Sequence, residues 1–285
     1  MPWVFVLIWS TGFIVARFGM PHSPPFTFLC LRFVLSILCF GAWITLARAP
    51  WPRQRAQWFH LAVTGVLMQA GYLGGVWAAV RAGIGAGTVA LLVGLQPVLT
   101  AIWLTAFSRD SRHHAVTAAQ WAGLLLGLGG LTLVVWRKLG AGEITPFNLA
   151  MSVGALLAIT AGTLYQKRHV APGDVRTAGA IQMLAALVVS VPLALLERDA
   201  VDWHPEFVGA LAWSVLALTL GGSSLLYLLI QRGAATQVTS LLYLVPPCTA
   251  VMAWLIFGES LTVSMVVGMA LTALGVALVV RPRPV

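Results

Sequence analysis

Residues 94–103 read GLQPVLTAIW and residues 243–252 read YLVPPCTAVM. Each stretch places a proline, Pro97 or Pro246, inside a long apolar run. There a proline deletes a helical hydrogen bond and clashes with the carbonyl four residues back, which costs about 3 kcal/mol in an ordinary helix interior. The two prolines are 149 positions apart, and their surroundings align, LQPVLTAIW on LVPPCTAVM and Asp110-Ser111 on Glu259-Ser260. A matched pair of costly residues points to a repeated device rather than an accident.

The repeat extends outward from these prolines. A shift of 150 lays Gly12 through Arg17 on Gly162 through Lys167, and pairs Thr27 with Thr177, Arg32 with Gln182, Gly71 with Gly221, Trp77 with Tyr227 and Gly83 with Gly233. Towards the C-terminus the shift is 145, aligning Gly123, Gly130 and LTLVV with Gly268, Gly275 and VALVV. The register slips only where connecting loops differ in length.

Of 285 residues, 59% are hydrophobic and 9% charged, against about 25% charged in an ordinary soluble domain. A water-soluble fold could not cover itself with so few charges, and a helix of about 20 apolar residues crosses a bilayer. Spans must satisfy their own backbone, so they are helices; uninterrupted apolar runs exclude the alternating pattern of a barrel. The expected fold is therefore an all-α polytopic membrane protein. Ten transmembrane helices are predicted: 2–19, 27–47, 57–80, 84–107, 116–136, 146–168, 176–196, 206–231, 235–257 and 261–281. Turn residues fill the breaks, as in Pro21-His22-Ser23-Pro24-Pro25 and Ala171-Pro172-Gly173-Asp174. The first run has no basic segment ahead of it and carries Arg17 near its end, so it reads as a span rather than a secretory signal. Cys30, Cys39 and Cys248 all fall inside spans and are odd in number, which argues against a disulfide framework.

The net charge of +9 follows from topology rather than from a nucleic-acid partner. With the N-terminus inside, the inner loops and ends hold Arg48, Arg53, Arg55, Arg109, Arg112, Lys167, Arg168, Arg176, Arg232, Arg281 and Arg283. The outer ones hold only Arg81, Arg137, Lys138 and Arg198, which puts both termini in the cytoplasm. Each repeat then has five spans, and an odd number forces the second copy to enter from the opposite side. Residues 1–145 and 146–285 read as two inverted five-helix repeats, an arrangement that lets two equivalent halves open one site to either side of a membrane. In that scheme Pro97, Pro246 and Pro247 mark a hinge or a cavity wall, freeing the carbonyls of Val93, Leu242 and Tyr243. Gly12 and Gly162 are further hinge or close-approach positions. A static packing kink is the plainer reading of the prolines.

All acidic residues and all histidines fall in loops or at span ends. A buried carboxylate or histidine is the usual proton relay of a coupled carrier, so facilitated diffusion is expected, with span-end groups such as His60 left as a route to coupling. Arg32 lies about five residues from the outer end of its span, roughly 7–8 Å deep at 1.5 Å per residue. It either snorkels to the interface or anchors a substrate carboxylate. Gln69 and Gln96, near the middle of spans, serve either a cavity or interhelical hydrogen bonds. Most tryptophans, Trp77 among them, fall near span ends as an aromatic belt would place them. Trp9, Tyr72 and Tyr243 lie deeper and could wall a cavity, with Tyr227 at the position matched to Trp77. Ser10, Thr11, Thr160, Thr163 and Ser223 supply hydroxyls. These substrate-binding candidates describe a mildly polar, uncharged cavity suited to neutral or zwitterionic molecules. No catalytic set, metal motif or cofactor motif is present in the sequence.

WSTGFIVARFG opening the first span, LRF in the second, PVLTAIW followed by Asp110-Ser111, and PPCTAVMAWLIFGES followed by GMALTALGVALVV resemble the EamA family of the drug/metabolite transporter superfamily. The first half departs from that pattern with Ser108-Arg109-Asp110-Ser111 where the second has Phe257-Gly258-Glu259-Ser260. Within the family the chain is similar to the YddG-type amino-acid exporters. The resemblance implies a multi-pass carrier in a bacterial inner membrane, moving amino acids or related small metabolites outward by alternating access. Its partners would be a small-molecule substrate and the lipid bilayer, with no nucleic acid, and with the oligomeric state left open, a monomer included. The rival readings are a proton-coupled carrier of another metabolite or drug class, a channel, and a membrane enzyme.

Overall fold

A computed structural model of the protein describes residues 2–96, 98–100, 103, 118–140, 142–225 and 244–280. Pro97, Tyr227 and Tyr243 lie outside the described residues. Every element among the described residues is helical: α1 (Pro2–Gly19), α2 (Pro25–Ala47), α3 (Arg55–Gly65), α4 (Leu73–Arg81), α5 (Ala86–Val93), α6 (Ala118–Gly140), α7 (Pro146–His169), α8 (Val175–Leu196), α9 (Pro205–Trp213), α10 (Val245–Phe257) and α11 (Val263–Val280). Two π-helical segments complete them: π1 (Val66–Tyr72), joining α3 to α4, and π2 (Ser214–Ser223), continuing α9.

Several boundaries follow from local chemistry. Four helices begin at a proline, Pro2, Pro25, Pro146 and Pro205, where the missing N–H would have had no helical acceptor anyway. Thr145 and Asn148 close a capping box on α7, and Asp174 accepts the Arg176 N–H at the start of α8. Gly258 ends α10 at φ 66°, a conformation that glycine adopts without strain. Five helical stretches, Pro25–Ala47, Arg55–Arg81, Pro146–His169, Val175–Leu196 and Pro205–Gly222, are long and apolar enough to cross a bilayer, and shorter apolar helices accompany them. Leu46, Trp136 and Leu195 stand 85%, 76% and 80% exposed, as side chains facing lipid would. The protein is a polytopic helical membrane protein.

Several helices pack in pairs. α2 and α8 run antiparallel: Thr27 at the start of α2 meets Glu197 after the end of α8, and Thr177 at the start of α8 donates to the Pro50 carbonyl after the end of α2. In α6 and α11, Gly130 and Gly268 face each other so closely that a Cβ on Gly130 would sit 2.5 Å from the Gly268 carbonyl oxygen. The end of α5 meets the start of α10, with Gly94 against the Pro246 ring. π1 packs on α7, and π2 on α1.

Loops gather at two ends of the bundle. At the end away from the N-terminus, residues 197–206 bring four carboxylates onto partners in the first 81 residues. Glu197 accepts the Phe26 and Thr27 N–H groups and the Thr27 hydroxyl at 2.8–2.9 Å, where a negative charge suits the positive end of α2. Asp199 pairs with Arg81 at 2.9 Å, and Arg81 also donates to the Met20 carbonyl. His22 lies 2.9 Å from Asp202 and 3.4 Å from Glu206, and its ring stacks on His204. Beneath this layer Phe28 packs on Trp77 and Phe207. At the opposite end Gln57 exchanges hydrogen bonds with Ala171, and His60 meets the Tyr165 hydroxyl at 2.8 Å and stacks on His169.

Two outcomes follow. A Cβ on Gly65 would fall on the Gln182 backbone, whereas nothing lies within 4 Å of one on Gly154; Gly65→Ala should destabilise the detergent-solubilised protein by about 1–3 kcal/mol, the usual cost of overpacking, and Gly154→Ala should leave its melting temperature unchanged. The hydrogen bond to Asp202 raises the His22 pKa above 6.5. Because the raised value belongs to the folded state, this contact stabilises below pH 6.5 and is lost as pH rises through the higher value. An NMR titration should show that value fall back in Asp202→Asn.

Candidate functional site

An open cleft enclosing about 570 Å³, its mouth included, lies among α1, α2, π1, α4, α7 and π2. Its lining is Trp9, Gly12, Phe13, Arg32, Met68, Gln69, Tyr72, Leu73, Val76, Trp77, Ile159 and Leu218. Arg32 is 5% exposed and so does not snorkel to the interface. Its Nε and Nη2 donate to the Thr219 hydroxyl oxygen at 3.2 and 3.1 Å, and that hydroxyl donates in turn to the Ser214 carbonyl at 2.9 Å. Ser214 lies five residues before Thr219, so this bond spans one wide turn of π2 and turns the hydroxyl lone pairs towards the guanidinium. Nη1 of Arg32 makes no hydrogen bond with the described residues. Among the described residues no carboxylate lines the cleft.

The other polar groups of the cleft have no hydrogen-bond partner among the described residues: the Gln69 amide, the Tyr72 hydroxyl and the Trp9 indole N–H. Gln69 and Tyr72 both belong to π1, and π-helical turns inserted into α-helices recur at functional sites because the extra residue re-aims neighbouring side chains. π1 and π2 fall in matched register, the shift of 150 that pairs Gly71 with Gly221. The same shift pairs the lining residues Trp9 with Ile159 and Met68 with Leu218, and Gln69 with the Arg32 partner Thr219.

The predicted site residues divide into two groups. Trp9, Arg32, Gln69, Tyr72 and Gly12 converge on the cleft. Ser10, Thr11, Gln96, Thr160 and Thr163 do not: their polar groups are engaged within the helices. Ser10 and Thr160 donate to carbonyls four residues back, and Thr11 accepts from the Trp213 indole at 2.9 Å. Gln96 donates to Thr163 at 2.9 Å, which is the interhelical role. The Ser223 side chain lies outside what the structure describes. Pro246 and Pro247 occupy the first turn of α10, against Gly94, and border a smaller cavity with Leu91, Met269 and Thr272. Gly12 and Gly162 lie within unbroken α-helix, Gly162 in close contact with Met68 and Gly12 at ordinary distance from Leu218.

Two expectations need correction. Trp77 is no interfacial anchor: it is 1% exposed, packs tilted on Phe28 with ring centroids 4.3 Å apart and lines one wall of the cleft. Nor is the cavity uncharged, because Arg32 belongs to it. Thr219 is the residue that sequence reasoning missed, although its register match to Gln69 was available as a signal. His22, His204 and Glu206 bring potential metal-ligand atoms within 4.8 Å of one another at the surface, but there they are engaged with one another and with Asp202.

The EamA-like transporter family model matches residues 3–136 and again 147–281. The inner membrane transporter YedA of Escherichia coli K12 is 25% identical over 259 residues, covering 90% of this chain and 81% of that protein. A probable amino-acid metabolite efflux pump of the same organism is 23% identical over 267 residues, covering 90% and 86%, and the transporter YvbV of Bacillus subtilis is 23% identical over 277 residues, covering 96% and 88%. A solved crystal structure at 19% identity matches with a TM-score of 0.69 over 98% of this chain and 95% of that one, and so shares its fold. With both stretches of the chain matched, the cleft and its buried arginine belong to a member of the EamA-like transporter family.

Proposed function

We propose that the protein is a secondary transporter that exports amino acids or related small carboxylate-bearing metabolites across a bacterial inner membrane. Ten helices in two inverted repeats, 1–145 and 146–285, with both termini in the cytoplasm, provide the alternating access. The observation that carries the reading is the Arg32 guanidinium, buried at 5% exposure in a cleft where, among the described residues, there is no carboxylate and Nη1 has no hydrogen-bond partner. Buried charges are expensive unless paired, and a guanidinium presents a planar fork that matches a carboxylate. An arriving carboxylate completes the pairing that Thr219 begins. Gln69, Tyr72 and Trp9 supply further donors around it.

Supporting the inverted repeat are the two family matches, the matched π segments, and a packing scheme that survives exchange of the halves. Exchange turns the α1–π2 contact into the π1–α7 contact and returns α2–α8 and α6–α11 to themselves. The carboxylates of residues 197–206 then act as a gate over the cleft, closed in this conformation. The amino-acid metabolite efflux pump among the relatives is consistent with the substrate class, as is the inner-membrane location of YedA.

Counterflow in proteoliposomes tests the assignment. Arg32→Gln should weaken substrate affinity by about 10- to 100-fold, as expected for loss of a charge-assisted hydrogen bond of about 1.5–3 kcal/mol, while the purified variant keeps its elution profile. Arg32→Lys should rescue poorly because an ammonium lacks the fork. Wild-type affinity in Arg32→Gln would remove the anchor from the mechanism. Thr219→Val should fall between the two, since it leaves the guanidinium in place but unoriented.

A further inference from the structure

We infer that the preferred substrates carry one net negative charge: amphipathic monocarboxylates lacking an ionised amino group, such as 2-oxo or N-acyl acids, ahead of the corresponding zwitterionic amino acids. The inference rests on the carrier reading and specifies the substrate class of the same cleft.

The argument begins with where the carboxylates of this chain are used. Asp174 is bound to Arg176, Glu143 to Lys138, and Glu259 to the Ala86 N–H. Glu197, Asp199, Asp202 and Glu206 are held in the gate contacts with Phe26, Thr27, Arg81 and His22. Asp110 lies outside the described residues, and in the sequence it stands beyond the end of its apolar run. None of the lining residues is acidic, so the cleft carries the Arg32 charge without an opposing one. An arginine keeps its charge even when buried.

Consider what each ligand does to that balance. A monocarboxylate cancels the guanidinium, and the loaded cleft is neutral as it closes. The carboxylate of a zwitterion pairs with it too, but the ammonium gives the loaded cleft one net positive charge and must leave water near a second cation. For that ammonium the lining offers the Gln69 carbonyl oxygen, the Tyr72 hydroxyl oxygen and the faces of Trp9, Tyr72 and Trp77, with no anion. Aromatic faces attract cations only modestly, and desolvating an unpaired ammonium is costly. A dicarboxylate fails from the opposite side, since its second charge meets no second cation among the lining residues. Phe13, Leu73, Val76, Ile159 and Leu218 provide an apolar wall for the rest of the molecule.

Four ligands with one side chain separate the possibilities: leucine, 4-methyl-2-oxopentanoate, N-acetylleucine and leucinamide, each titrated calorimetrically into the purified protein. The two monoanions should bind at least tenfold more tightly than leucine, and leucinamide should not bind. In Arg32→Gln the advantage of the monoanions should disappear. Leucine binding as tightly as either monoanion, or no binding by any of the four, would overturn the inference. Counterflow with the same compounds is read separately: monoanion-selective binding without counterflow would leave the substrate class standing and remove the carrier.

Discussion

A guanidinium left in the interior of a membrane protein needs a partner, and this chain gives Arg32 only half of one. Thr219 takes Nε and Nη2, and nothing described takes Nη1. That incomplete pairing depends on a feature of the whole sequence, the sorting of carboxylates to helix ends. Had one of them reached the cleft, the charge would be neutralised internally and the site would be a structural ion pair. Instead the carboxylates fasten the ends of the bundle, and the charge in the middle is left for a ligand.

The position of Arg32 is fixed by backbone irregularity rather than by proline. π1 places Gln69 and Tyr72 on the cleft, and π2 places Thr219 where its hydroxyl reaches both Ser214 and the guanidinium. The two π segments face the cleft beside the regular helices α1, α2, α4 and α7. A π turn closes its hydrogen bonds over five residues rather than four and recurs at functional sites. Pro246, the better described of the two matched prolines, instead forms a contact with Gly94 where α5 and α10 meet.

Much of this was legible in the sequence, for definite reasons. Apolar runs and charge sorting are dictated by the bilayer, so the helical membrane fold and the emptiness of the middle in carboxylates could be read directly. Repetition could be read from matched residues such as Gly71 and Gly221. Arg32, Gln69, Tyr72 and Trp9 stood out because polar or amphipathic groups deep in apolar runs are few. What escaped was information held in rotation about helix axes. Ser10 and Gln69 look alike as polar residues in apolar runs, yet Ser10 donates to Val6 while Gln69 faces the cleft. No periodic signal announces a π turn, so Thr219 was hidden, and Trp77, four residues from the end of α4, resembled an interfacial anchor although it is buried.

We propose that the cleft opens through the end held by residues 197–206, so that its contacts with His22, Phe26, Thr27 and Arg81 break in every transport cycle. Asp202 donates its backbone N–H to the His22 carbonyl at 2.8 Å, which brings the two residues close enough to lock. In a background with Cys30, Cys39 and Cys248 replaced, His22→Cys combined with Asp202→Cys allows the lock to be closed by oxidation and opened by reduction. The most direct measurement is counterflow through that protein in both states. Transport abolished by oxidation and restored by reductant is the predicted result; undiminished transport through the oxidised, cross-linked protein would contradict the account.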